Sequence, residues 1–121
     1  MGVLDYKELI IWQKSMELVS EVYKLVKKLP KEEKYALSDQ IRRSSVSIPS
    51  NIAEGNSRDS TKEYGFFLSV ASGSIAELET QLILCERIGY LESDELNKSF
   101  GLITEIRKML TKIKQSLKIR D

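Results

Sequence analysis

The sequence predicts an all-α protein: an up-down-up-down antiparallel four-helix bundle whose second helix is kinked near Pro49. Three observations lead there. Apolar residues recur at alternating three- and four-residue steps through four successive segments, the spacing that lines one face of a helix. The 121 residues include only six glycines and two prolines, so turns are few and the elements between them long. There is no strand alternation, low-complexity linker or internal repeat. The length suits one domain, residues 1–121, with a core of its own.

Helix 1 is expected at about residues 5–29. Asp5 and Glu8 have the spacing of a capping box, and Leu9, Trp12, Met16, Val19, Tyr23 and Val26 form an apolar row. A second row, Ile11, Leu18, Val22, Leu25 and Leu29, lies beside it. One amphipathic face needs a single stripe, so helix 1 is read as buried on two sides. Ile11, Leu18, Val22 and Leu25 are assigned to a subunit interface. Leu29-Pro30 ends the helix.

Helix 2 is expected at about residues 31–55, opened by Lys31-Glu32-Glu33. Its stretch from Ile41 to Gly55 (IRRSSVSIPSNIAEG) carries four serines and Pro49. A proline in a helix interior removes a donor and clashes with the preceding turn, at roughly 3 kcal/mol. Yet the row Leu37, Ile41, Ser45, Ile48 and Ile52 runs through Pro49 without a change of phase. One kinked helix is therefore expected, with serine hydroxyls standing in for the lost backbone partner. Gly55-Asn56 is its stop signal.

Helix 3, about residues 60–88, opens on the capping box Ser60-Thr61-Lys62-Glu63 and closes at Gly89. Its core stripe is Ala71, Ile75, Leu78, Leu82 and Cys85. Small residues at Gly65, Ser69, Gly73, Ala76 and Thr80 are expected to let the serine-rich side of helix 2 come close. Helix 4, about residues 93–118, has Ser93 as cap and Asp94 and Glu95 suited to the helix dipole. Its stripe is Leu96, Ile103, Ile106, Leu110, Ile113 and Leu117. Helices of about 25 residues are about 38 Å long, and short connections make neighbours antiparallel.

Composition narrows the function. With 19 basic and 18 acidic residues, general polyanion binding is not indicated, and a nucleic-acid role needs segregated charge. There is no histidine and one cysteine. A Ser-His or Cys-His pair, an ordinary zinc site and an intrachain disulfide are all excluded. A non-enzyme without metal or cofactor is expected. No apolar run approaches the roughly 18 residues needed to span a bilayer. The start, MGVLDYKEL, lacks a signal peptide's features, and Tyr6 stands where a myristoylation signal wants Ser or Thr. A cytoplasmic protein without membrane contact is expected.

Charge is in fact segregated along the chain. Arg107, Lys108, Lys112, Lys114, Lys118 and Arg120 give residues 107–121 a net +5 once Asp121 is subtracted. Lys24, Lys27, Lys28, Lys31 and Lys34 form a second basic group, while residues 77–95 hold six acids and one arginine. The ends of helices 1 and 3 are placed at opposite ends of the bundle, with the end of helix 4 beside the start of helix 1. Arg42 and Arg43 are expected to pair with Glu77 and Glu79, within or between subunits. The two glutamates, two apart on a helix, point to different sides and make no acid/base dyad. Trp12, Tyr23 and Phe100 are assigned to core or interface rather than base stacking, and Cys85 to the core.

The strings DYKELIIWQKSMELVSEVYKL, LPKEEKYALSDQIRRSSVSIPSNIAEG and KEYGFFLSVASGSIAELETQL resemble the four-helix bundle proteins encoded in intervening sequences of bacterial 23S ribosomal RNA genes. SIPSNIAEG and AELETQL are the most specific. The resemblance covers nearly the whole chain and implies an all-helical bundle, a ring-shaped homopentamer and no catalytic residues. It carries Arg43, Pro49, Asn51, Glu54 and Gly55 over as scaffold positions. The accessory variability determinant of diversity-generating retroelements is similar to this family and implies binding of nucleic acid with a reverse transcriptase. Gene location implies an RNA-related role. The expected function is a non-catalytic homo-oligomer that associates with RNA or DNA through Arg107, Lys108, Lys112, Lys114, Lys118 and Arg120. The alternative is a protein-interaction scaffold, for example a partner of a polymerase-like enzyme.

Overall fold

A computed structural model describes residues 5–120, with side chains as far as Lys118. Four helices make up most of it: α1 (Ile10–Val26), α2 (Leu37–Asn56), α3 (Thr61–Ile88) and α4 (Ser93–Arg120). Short 3-10 turns precede α1 at Tyr6–Glu8 and α2 at Lys31–Glu33. Each helix packs on the next and α4 closes back on α1, which makes an up-down-up-down four-helix bundle.

The first two helices start later than their periodicity suggests. Asp5 Oδ1 accepts from the Lys7 N–H and so caps the 3-10 turn, not the helix. Leu9 is extended (φ −72°, ψ 127°) and separates the two. Pro30 likewise leads into a 3-10 turn, and the Leu37 N–H at the start of α2 donates to Glu33 Oε1. At α3 the expected signals hold. Ser60 Oγ accepts from the Glu63 N–H at 3.1 Å. Gly89 takes the left-handed conformation (φ 94°) and donates its N–H to the Cys85 and Glu86 carbonyls. Ser93 is already inside α4; Glu95 reaches back to accept from the Glu92 N–H instead.

The expected stripes of α2, α3 and α4 supply most of the core, including the fully buried Ile41, Ile48, Leu78, Leu82, Ile103 and Ile106. Helix α1 corrects the sequence reading. Ile11, Leu18, Val22 and Leu25 are at most 4% exposed within the single chain, so they are its core row and offer nothing to a neighbouring subunit. The other row is the outward one: Met16 and Tyr23 are 43% and 40% exposed, and Trp12 and Val19 are half-buried. Helical spacing reveals two adjacent stripes but not which of them faces α2 and α4.

Helix α2 continues through a buried Pro49. Its polar groups form a seam against α3. Ser44 Oγ lies 2.7 Å from Gln81 Oε1, and Ser47 Oγ lies 2.8 Å from Ser74 Oγ. Ser45 Oγ donates to the Arg42 carbonyl and Asn51 Nδ2 to the Ser47 carbonyl. The close approach comes from Gly55, where a Cβ would lie 2.9 Å from Phe67 Cβ and from Tyr64 Cδ1. The small residues of α3 were expected to provide it and do not. Ser69, Gly73, Ala76 and Thr80 face outward, and a Cβ at Gly73 would meet nothing within 4 Å.

These two kinds of glycine predict opposite outcomes. Gly55→Ala forces a backbone shift in the seam and is expected to lower stability by about 1–3 kcal/mol. Gly101→Ala, on an open face of α4, is expected to raise it by about 0.5–1 kcal/mol. Urea denaturation of both variants checks the pair, and shifts of the same sign would contradict the packing.

Candidate nucleic-acid interface

Packing of α4 against α3 decides which of its cations are free. Arg107 Nη2 donates to Glu79 Oε1 at 2.8 Å, so this guanidinium is already neutralised. Lys114 is half-buried, its Nζ 3.4 Å from Ser72 Oγ. Lys108, Lys112 and Lys118 are exposed and make no ion pair among the described residues. The Arg120 side chain lies outside the described residues. Of the six cations expected to act together, three therefore offer free charge along one edge of α4. Ten residues from Lys108 to Lys118 cover about 15 Å of helix axis. The hydroxyls beside them are occupied: Thr104 and Thr111 donate back to the carbonyls of Phe100 and Arg107. Phe100 packs against the core, and Trp12 stands edge-on to Tyr6 at 5.5 Å. Such an edge suits phosphate contact rather than base stacking.

The second basic group has a different fate. Two chain reversals bring the ends of α1 and α3 to the same end of the bundle, correcting the expectation that they lie apart. Lys28 pairs with Glu95, and the Tyr90 hydroxyl donates to Glu33 Oε2 at 2.7 Å, tying the first loop to the α3–α4 turn. The lysines near residue 30 thus sit among the acids near residue 90. The Glu33 carboxylate holds the Tyr90 phenol above its ordinary value. Lys28, then the Glu92 N–H, hold the Glu95 carboxyl below the usual range. Further along, Lys14 meets Glu105 at 2.8 Å and Lys98 meets Glu21 at 3.4 Å, so ion pairs lace α1 to α4.

Within the chain, the expected ion pairs between helices 2 and 3 do not form. Arg43 pairs with Asp39 one turn back on its own helix, at 3.0 Å. Arg42 donates to the Lys34 carbonyl, and Glu79 is taken by Arg107. Glu77 has no cationic partner among the described residues, although it lines a polar groove with Arg43, Ser44 and Gln81. The serine seam holds α2 and α3 in register without ionic contacts. The scaffold positions have structural work: Asn51 bonds within the seam, Glu54 pairs with Arg58 at 2.7 Å, and Gly55 meets Tyr64 and Phe67.

One surface escaped the sequence reading. Phe66, Val70, Ile83, Leu84 and Ile88 are exposed on the outer side of α3. The signal was present, since these residues lie off the Ala71–Cys85 stripe and make the helix apolar on two sides. Cys85 itself is buried; desolvation, then the charge of Glu33, pushes its thiol up to about 11. The described residues hold no cluster of potential metal ligands, and no described helix is long and apolar enough to cross a membrane.

Fold and surface together define a small antiparallel four-helix bundle with a free cationic edge on α4 and an uncovered apolar face on α3. The chain belongs to the 23S rRNA-intervening sequence protein family, whose family model matches residues 7–112. A similar solved structure is a Bacteroides thetaiotaomicron protein of unknown function from the S23 ribosomal protein family, with 31% identity and a TM-score of 0.80. The similarity covers 87% of this chain and 98% of that one. No curated protein matches the sequence.

The joined loops predict a pH dependence. A carboxyl held below its unfolded value stabilises the fold above that value, about 4.3 for glutamate, and the contribution is lost as pH falls through the folded one. The melting temperature of the Glu95→Gln variant is expected to fall less steeply than that of the parent as pH drops from 6 to 3 (about the carboxylate range). Parallel curves would contradict this role for Lys28–Glu95.

Proposed function

We propose that this chain is a non-catalytic, self-assembling bundle that binds RNA through Lys108, Lys112 and Lys118 of α4. The observation that carries the reading is that these three cations lie on one helix, exposed and without an ion pair among the described residues. Arg107, Lys14, Lys28 and Lys98 are all committed to acids within the fold. The family description, with its 23S rRNA context, supports RNA as the polyanion. A homopentamer, which the family resemblance implies, would repeat the lysine edge five times. Affinity through counterion release scales with the phosphates neutralised, so repetition lets a chain of net charge +1 bind a polyanion. The protein would act in the cytoplasm without a cofactor.

The exposed apolar face of α3 favours a second reading, a protein-interaction scaffold such as a partner of a polymerase-like enzyme. A specific partner retained at high salt after nuclease treatment would favour that reading over RNA binding.

Fluorescence anisotropy with a single-stranded RNA at several salt concentrations tests the first reading. Affinity is expected to fall steeply with salt, and replacing Lys108, Lys112 and Lys118 with Gln should flatten the log–log slope by about 2, at roughly 0.7 per lost phosphate contact. No binding by the parent at low salt, or an unchanged slope in the variant, would remove the proposal.

A further inference from the structure

We infer that the turn between α1 and α2 is a second nucleic-acid contact, in which the Tyr35 ring stacks on an unpaired base while Arg42 and Lys34 hold the neighbouring phosphate. The inference rests on the RNA-binding part of the proposed function and deepens it, since it makes single-stranded RNA the preferred ligand.

Tyr35 is the most exposed large hydrophobic side chain among the described residues, at 85%. Other aromatic rings lean on the fold or on each other. Phe66 stands edge-on to Phe67 at 5.1 Å, Trp12 stands edge-on to Tyr6, and Phe100 packs against the core. Tyr35 has neither a neighbouring ring nor a hydroxyl partner among the described residues. The Lys34 ammonium lies over one face of the ring, 5.3 Å from its centroid, and leaves the opposite face to solvent. A nucleobase covers such a face with a flat surface of its own, whatever its sequence identity.

The ring is held out on a fixed frame. Glu33 Oε1 accepts from the Leu37 N–H and Glu33 Oε2 from the Tyr90 hydroxyl, which clamps the turn between the start of α2 and the end of α3. The Lys34 and Ala36 N–H groups close on the Lys31 and Glu33 carbonyls. Arg42 Nη2 donates to the Lys34 carbonyl at 3.3 Å, one peptide unit before Tyr35. Little further ordering is needed when a base arrives.

Positive charge stands beside the ring. Arg42 is half-buried and makes no ion pair among the described residues, so most of its guanidinium donors are free. Asp39, three residues before it, is taken by Arg43. Lys31 and Lys34 are exposed and also lack an ion pair among the described residues. Of the two acids on the turn, Glu33 is committed to Tyr90 and Leu37, which leaves Glu32. An apolar protein partner would have to strip water from these cations to reach the ring. A nucleotide brings a flat base and a phosphate together. In a duplex the bases stack on one another and offer Tyr35 no face, whereas a single strand presents them. The pair of Lys28 with Glu95 sets the turn level with the start of α4, about 20 Å along the axis from Lys108. The stacking site and the lysine edge are therefore separate contacts, and each can be removed without the other.

Substitution at Tyr35 tests the site. Tyr35→Leu keeps an apolar side chain and removes the ring, while Tyr35→Phe keeps the ring; both are expected to melt with the parent. By fluorescence anisotropy with an unpaired RNA of about ten nucleotides, Tyr35→Leu should weaken binding about tenfold with the salt slope unchanged, and Tyr35→Phe should bind as the parent does. Against the same sequence in a fully paired duplex, Tyr35→Leu should match the parent. A strand carrying 5-iodouridine gives a direct readout: irradiation should join the base to Tyr35, recovered in the tryptic peptide of residues 35–42. No binding by the parent at low salt removes RNA binding and the stacking site with it. Parent binding that Tyr35→Leu leaves unchanged, or weakens equally for strand and duplex, or a cross-link that falls elsewhere, overturns the stacking site while leaving the lysine edge of α4 intact.

Discussion

The contact between α2 and α3 is the constraint on which the rest of the surface depends. Gly55 lets the backbones approach until Tyr64 and Phe67 fill the space a Cβ would need, and the Ser47–Ser74 and Ser44–Gln81 hydrogen bonds set the register. Each such bond contributes only about 1 kcal/mol net, but leaving a buried hydroxyl unpaired would cost about 1–3 kcal/mol. A slipped register would strand several at once, so the seam specifies one alignment more than it adds stability. This accounts for the run of serines in α2. Rotation of α3 is then fixed: Ser74, Ile75 and Leu78 point inward, while Phe66, Val70, Glu77 and Leu84 are left outside. The exposed apolar face of α3 follows from the seam.

A similar logic runs through the charges. Nearly equal numbers of cations and anions would suggest an electrostatically bland molecule. The bundle distributes them unevenly because its helices pair acids and bases only where they touch. Contacts of α1 and the loop after it with α4 consume Lys14, Lys28 and Lys98, and the contact of α4 with α3 consumes Arg107. Lys108, Lys112 and Lys118 face away from every neighbouring helix and stay free. Partly screened surface pairs add little stability each, so their main effect here is to leave a cationic edge by subtraction.

Much of the fold was legible in the sequence. The apolar period through Pro49 correctly gave one α2, and the capping box at Ser60 and the glycine at Gly89 located α3 closely. The starts of α1 and α2 were not legible, because capping signals at Asp5 and Lys31–Glu33 serve equally well for a single 3-10 turn. The interface assigned to Ile11, Leu18, Val22 and Leu25 was misplaced for a different reason: two adjacent stripes on one helix have the same period, and only the neighbours decide which is inside. Small residues on α3 misled in the same way, since spacing says that a close approach is permitted and not which side uses it. The pairing of Arg43 with Glu77 failed inside the chain because Asp39, one turn away, was nearer. The cationic edge could be read only in outline, since the partners that silence Arg107 and Lys114 belong to another helix.

The proposed function holds that the exposed apolar face of α3 is covered by another copy of the chain, while the lysine edge of α4 meets RNA. Sedimentation equilibrium of the unmodified protein over a wide concentration range, at low and at high salt, tests that claim most directly. An apolar contact predicts a particle several times 13.9 kDa that survives in high salt, where counterion-driven RNA binding is lost. A 13.9 kDa species at every concentration and salt would contradict it.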